Sequence, residues 1–204
     1  LPEAPAQAQG IVQVEGREVW VVQVVREVVA EVLRRRGSRG WLVGGTVRDM
    51  RLGRLSPDVD VVVRDDPREV ARGVAAELGA PWFPLSTRHG AYRVMAPQGH
   101  IDCAAIQGKG IEDDLGRRDF TVNAMALPVE GGDLVDPFGG ARHLSEGSLV
   151  GVSARIFRND PLRLMRAPRF CHVLGLQMHD GLEELQRREV RLVARAAGER
   201  VTNE

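Results

Sequence analysis

Cysteine is scarce in this chain of 204 residues. Cys103 and Cys171 fall in unrelated segments with no Cys-x-x-Cys spacing, which excludes a disulfide framework and gives no sign of a zinc site. No apolar run approaches the roughly 20 residues that a membrane-spanning helix needs. The opening LPEAPAQAQG has neither the basic start nor the apolar core of a secretory signal. Residues 1–10 are therefore expected to form a flexible tail on a cytoplasmic protein. Net charge is also lacking: 28 basic and 28 acidic residues cancel, which argues against a surface coated for nucleic acid but leaves room for local patches. Lysine is nearly absent. Lys109 is the single one, so almost all positive charge is guanidinium, the group suited to bidentate phosphate and base contacts. A genomic bias toward arginine codons, or a warm habitat, explains the same count.

What is present suits one medium domain, or a domain with a helical extension: 43% of residues are hydrophobic, an ordinary share for a globular protein. The organising stretch is Trp41 to Val63, WLVGGTVRDMRLGRLSPDVDVVV. Trp41 to Val43 has the character of a buried strand, and Gly44-Gly45 permits a sharp turn with unobstructed N–H groups. Thr46 to Arg54 then predicts a short helix, whose start suits an anion such as a polyphosphate. Arg48 in its first turn adds a fixed guanidinium. Asp58 and Asp60 follow on a strand, where a spacing of two puts both carboxylates on one face while Val59, Val61 and Val63 face a core. Paired oxygen donors on a rigid element suit Mg²⁺. A solvated edge strand gives the same pattern, and the glycine-started helix upstream is what favours a site.

Upstream, valines from Val21 to Val32 predict a helix ending at the Arg34–Arg36 cluster. Downstream, Asp66-Pro67 opens a helix to about Leu78. Trp82–Leu85, Ala91–Ala96 and His100–Ala105 have the look of strands separated by Gly and Pro turns. This order predicts an α+β fold, a small mixed sheet with helices on one side. Asp102 stands inside the apolar IDCAA, where a carboxylate is costly without a partner. Thr121 caps a helix predicted through Leu127, Asp133–Phe138 predicts a last strand, and from Asn159 the pattern is helical again. Asp160, Arg163, Arg166 and Arg169 recur every three residues along one predicted helix face. A last helix is expected from Asp180 to Ala197.

The stretch GGTVRDMRLGRLSPDVD, followed in order by RRDFTVNAMA, DPFGGARHL and DPLRLMRAPRF, resembles the bacterial tRNA nucleotidyltransferases (CCA-adding enzymes) and poly(A) polymerases. These form class II of the nucleotidyltransferase superfamily that includes DNA polymerase β. The resemblance implies a catalytic head over about residues 11–150 and the start of a helical neck over 151–204. The implied reaction is template-independent, Mg²⁺-dependent transfer of CMP or AMP from CTP or ATP to an RNA 3′ end: CCA, CC or A addition to tRNA, or poly(A) synthesis. A module that binds nucleotide or RNA without turnover is the reading from another class.

By the same resemblance, Asp58, Asp60 and Asp102 form the catalytic trio, with Asp58 and Asp60 holding metal. Gly44, Gly45 and Arg48 cradle triphosphate. Arg117, Arg118, Asp119 and Asn123 serve ribose and triphosphate, although Arg118 and Asp119 also fit a plain salt bridge at a helix start. Asp160 and Arg163 present an acceptor and a donor fork to the base, and Arg166 and Arg169 reach phosphates.

Three departures from the family pattern stand out. Only eleven residues separate Asp102 from Asp114, where relatives have a longer flexible loop. A subgroup lacking that loop, such as the CC-adding enzymes, and a loop missing from the sequence both account for this. Asn159 stands where glutamate is common, and Pro168 predicts a kink in its helix. The closing GERVTNE resembles the beginning of a further family motif, so the neck is expected to continue.

Overall fold

A computed structural model describes residues 11–14, 17–54, 56–86, 90–96 and 99–195, so the expected tail over 1–10 and the motif-like GERV lie outside the described residues. The chain packs as two compact units. The first holds the described residues up to Gln107 together with Ala126–Leu134. The second holds Gly108–Met125 together with the described residues from Val135 onward. Among the described residues no helix is long and apolar enough to cross a membrane.

The first unit begins with a hairpin of β1 (Ile11–Val14) and β2 (Arg17–Trp20), which leads into α1 (Val21–Arg35). Val22, Val25, Val29, Val32 and Leu33 are buried on α1, a helical stripe strong enough to hold a helix built from β-branched residues of modest propensity. Its centre is a six-stranded sheet of order β5-β6-β7-β4-β3-β8. The strands are β3 (Gly40–Val43), β4 (Asp58–Val63), β5 (Trp82–Ser86), β6 (Ala91–Ala96), β7 (Gly99–Ala105) and β8 (Ala126–Pro128). Within this sheet only β4 and β7 run parallel; every other neighbouring pair is antiparallel.

The α+β expectation of a mixed sheet holds, and alternation explains how it is covered. Val94, Ile101 and Val59 form one register row across β6, β7 and β4 and are buried, as are Val61, Val63 and Cys103. Helix α3 (Pro67–Leu78) packs on β6 and β7 and against α1. Its start is set by Asp66, whose side chain accepts from the Arg68 N–H, with Pro67 at the first helical position, and its end by the left-handed Gly79. At Gly73 the two helices are so close that an added Cβ would lie 2.8 Å from Val32 Cγ1. Burial also raises the Cys103 thiol to about 12, so it stays protonated in the core.

In the second unit, α4 (Ile111–Leu115) leads to a 3₁₀ turn at Thr121–Asn123, then come α5 (Gly140–Ser145), β9 (Ser148–Leu149), α6 (Ile156–Asn159), α7 (Arg163–Leu174), β10 (Gln177–Met178), α8 (Asp180–Glu189) and a 3₁₀ stretch at Val190–Arg195. Strands β9 and β10 form a short parallel pair. Two expectations need correction. No helix runs from Thr121 to Leu127, because after one 3₁₀ turn Ala126–Pro128 becomes the edge strand that pairs with β3. Asp133–Phe138 holds a single bridge residue, Val135, and no strand. Instead, Asp136 accepts from the N–H groups of Gly140 and Ala141 at 2.6 and 2.9 Å and caps α5.

Pro168 lies inside α7, which runs on through it: the Leu164 carbonyl, which loses its helical donor to the proline ring, accepts instead from Gln186 Nε2 of α8 at 3.0 Å.

One further pair in this unit makes stability depend on pH. His143 Nδ1 lies 2.9 Å from the Thr121 hydroxyl, and burial, followed by the neighbouring Arg142 charge, lowers the imidazole below its usual value. The native state therefore binds fewer protons than the unfolded chain between that lowered value and about 6.5. Its contribution is present at neutral pH and is lost as pH falls through this window. Thermal midpoints measured from pH 7.5 down to 5 should decline, and His143→Gln, which keeps a partner for Thr121, should flatten the decline.

Candidate active site

In the first unit the site grows from the diglycine. Gly44 adopts φ +64° and ψ −131°, a conformation that L side chains rarely take, and turns the chain from β3 into α2 (Gly45–Arg51). The helix is shorter than the sequence suggests, ending at Arg51 before a left-handed Gly53. Arg48 is mostly buried and its guanidinium fork is gripped by Asp49, Nε to Oδ1 and Nη2 to Oδ2, both at 2.9 Å. An added Cβ at Gly45 would come within 3.4 Å of Arg48 Nη2, so this guanidinium lies beside the bend.

Thr46 then ties the bend to the acidic strand: its buried hydroxyl accepts from the Asp60 N–H at 2.8 Å and donates to the Asp58 carbonyl at 3.4 Å. Nothing in the sequence pattern singled out this threonine.

Across the parallel β4–β7 pair, Asp60 is in register with Asp102 and Asp58 with His100. The two aspartates of β4 and Asp102 therefore share the sheet face opposite the buried valine row. Two further residues complete this face, and sequence reasoning missed both. Arg93 on β6 is the register partner of Asp102 and holds its carboxylate at both oxygens, Nε to Oδ1 and Nη2 to Oδ2, each at 2.7 Å. His100 Nδ1 lies 2.8 Å from Asp58 Oδ1, and its Nε2 is 4.0 Å from Asp102 Oδ2. The hydrogen bond to Asp102, and after it the charges of Asp102, Asp58 and Asp60, raise the Arg93 guanidinium above its ordinary value. Alternation in AYRVMA does put Arg93 on one face of its strand, but which face, and opposite which residue, depends on pairing between distant segments.

Among the described residues no three Asp, Glu, His or Cys side chains are gathered as a ready-made ligand cluster. Mg²⁺ is commonly held by one or two carboxylates, with substrate phosphates and water completing the shell. Asp58 and Asp60, hard oxygen donors two residues apart on one strand, fit that demand.

In the second unit Asp119 is the hub. It is 5% exposed, and its Oδ1 accepts from the Phe120 N–H at 2.7 Å and from Asn123 Nδ2 at 3.1 Å, while Oδ2 lies 2.9 Å from Arg166 Nη2. Arg118 pairs with the buried Asp114 at 3.2 Å. Arg163, the first residue of α7, sends Nη2 to the Arg117 carbonyl at 2.6 Å and Nη1 to the Arg118 carbonyl at 3.1 Å, and burial lowers its pKa. Asp160 precedes α7 in an extended conformation, and its Oδ1 accepts from the Leu162 N–H at 3.2 Å. It therefore caps a turn and does not share the helix face with Arg163 and Arg166, as the spacing suggested. Arg166 and Arg169 both lie over the Phe170 ring, at 5.4 and 5.3 Å from its centroid, and Phe170 meets Phe120 edge-on.

Residues 40–110 and 104–150 match the model of the Poly A polymerase head domain family. The chain is 40% identical over 179 residues to a CC-adding tRNA nucleotidyltransferase of Geobacter sulfurreducens, which covers 87% of this chain and 42% of that protein. It is 44% identical over 146 residues to an A-adding tRNA nucleotidyltransferase of Deinococcus radiodurans, covering 72% and 33% respectively. Among solved structures, the Thermotoga maritima CCA-adding enzyme complexed with tRNA superposes with a TM-score of 0.81 at 29% identity, over 89% of this chain and 45% of that one. This chain thus spans less than half the length of those relatives. With more than half of its residues matching the family model, and with the glycine bend and acidic strand inside the matched range, the chain belongs to the Poly A polymerase head domain family.

Proposed function

We propose that this chain is the nucleotidyl-transferring part of an enzyme that adds CMP, AMP or both from CTP and ATP to the 3′ end of tRNA without a nucleic-acid template. The observation that carries the reading is the in-register placement of Asp60 beside Asp102, on a strand that Thr46 bonds to the glycine bend. In this reaction the RNA 3′-oxygen attacks the α-phosphorus in line, a new P–O bond forms, the α–β bridge breaks and pyrophosphate leaves.

Asp102 accepts the hydroxyl proton at its carboxylate. The N–H groups at Gly44-Gly45 and the preset fork of Arg48 bind the triphosphate. Asp58 and Asp60 would hold Mg²⁺, which supplies charge neutralisation on the phosphates.

In the second unit, Arg117, Arg118, Asp119 and Asn123 are assigned to ribose and triphosphate, and Arg166 and Arg169 to phosphate. Asp160 and Arg163 are assigned to the base, Arg163 exchanging the Arg117 and Arg118 carbonyls for the base edge. Such an enzyme works where tRNA is processed, in the cytoplasm.

The family description favours a second reading, poly(A) addition to RNA 3′ ends. Incubation with radiolabelled CTP or ATP, Mg²⁺ and a tRNA lacking its CCA end separates them. Addition of one to three nucleotides is expected. A long homopolymer tail would select the second reading, and saturable nucleotide binding without incorporation would leave a binding module.

A further inference from the structure

On the acidic face of the sheet one register row crosses four strands: Phe83, Arg93, Asp102 and Asp60. Side chains directly opposite on neighbouring strands stand about 5 Å apart, and like charges in such positions repel unless something intervenes. A carboxylate at 102 has two alternatives. It can turn toward Asp58 and Asp60 as a third oxygen donor to a cation, or it can stand apart from them.

Arg93 selects the second. It approaches Asp102 from β6, on the side away from β4, and takes both oxygens at 2.7 Å. A planar fork fixes the plane of a carboxylate as a single ammonium cannot. Each oxygen keeps a second lone pair, enough to accept one hydroxyl proton but not to swing across and chelate.

We propose that Arg93 is a positioning residue that draws Asp102 away from the Asp58–Asp60 pair, so that the pair serves as metal ligand and Asp102 is reserved for the attacking hydroxyl. This rests on the nucleotidyl-transfer reading above. It turns three carboxylates on one face into two functions, with an arginine dividing them.

The test reads metal affinity directly, by electron paramagnetic resonance of free Mn²⁺ titrated with protein. In Arg93→Ala, Asp102 is released to join Asp58 and Asp60, and Mn²⁺ should bind about tenfold more tightly, because added carboxylate charge raises cation affinity. Incorporation should fall through kcat, with KM for the nucleotide little changed. In an Asp102→Asn background the same Arg93→Ala change should leave Mn²⁺ affinity unaltered. Arg93→Lys, which keeps the charge but not the fork, should lie between and serves if the alanine variant does not fold.

Unchanged or weaker Mn²⁺ binding in a natively folded Arg93→Ala overturns the proposal. So does a tightening that persists in the Asp102→Asn background, since that would be a field effect alone. Asp58→Asn tells the two levels apart. If it abolishes Mn²⁺ binding while Arg93→Ala does not tighten it, only the role of Arg93 fails; if Mn²⁺ binding ignores Asp58→Asn, the site reading fails and this role with it.

Discussion

Asp60→Asn should lower nucleotide incorporation by at least about a thousandfold, the equivalent of roughly 4 kcal/mol of lost transition-state stabilisation. Asparagine keeps the shape of the side chain, so the Asp60 N–H to Thr46 contact and the β4–β7 register should survive. On the proposed reading, what is removed is one of the two negative charges that would face a divalent ion where charge builds up on the transferring phosphoryl group. Asp58→Asn should behave alike but less severely, since Asp58 lies at the more exposed start of β4 and shares its carboxylate with His100. Single-turnover incorporation with circular dichroism as a fold control checks both. Activity within tenfold of the parent in Asp60→Asn would refute the assignment of this strand.

Gly99→Ala should produce the largest stability loss of any glycine-to-alanine substitution on the sheet. A Cβ at residue 99 would sit 1.9 Å from the Pro57 carbonyl oxygen and 2.6 Å from its carbon, and a backbone group cannot swing aside as a side-chain tip can. Pro57 directly precedes Asp58, and Gly99 directly precedes His100, so relief of the clash has to separate β4 from β7 at the end where the acids pair. Overpacking of this kind costs about 3 kcal/mol. In a chain of this length that lowers the melting midpoint by about 10 °C. Incorporation should fall as well, because Asp58 and Asp102 no longer hold their spacing. Gly110→Ala is the matched control: nothing lies within 4 Å of an added Cβ there, and its change should stay within about 1 kcal/mol. Equal melting of the two variants would show that the close approach at Gly99 relaxes freely.

The features legible in the sequence are those that local chemistry decides. Alternation in DVDVVV placed the acids opposite the valines, the Asp66-Pro67 start and Gly79 stop bounded α3 to the residue, and the diglycine marked the bend at Gly44. What stayed hidden depends on contacts between distant segments. The Arg93–Asp102 clamp needs the β6–β7 register, and the Thr46 hydroxyl needs α2 laid against β4. TVNAMAL misled because an apolar run without clear period suits helix and strand alike, and the free edge of β3 settled it. The three-residue recurrence of Asp160 with Arg163 was arithmetic without a helix beneath it, since the turn at Pro161-Leu162 comes first.

A proline inside a helix ordinarily leaves one carbonyl unmet, and here the Gln186 amide reaches across from α8 and meets it at Leu164. Arg166 and Arg169 stand on either side of Pro168, in the turn of α7 that follows this contact. A side chain of α8 thereby braces the stretch of α7 that carries both arginines.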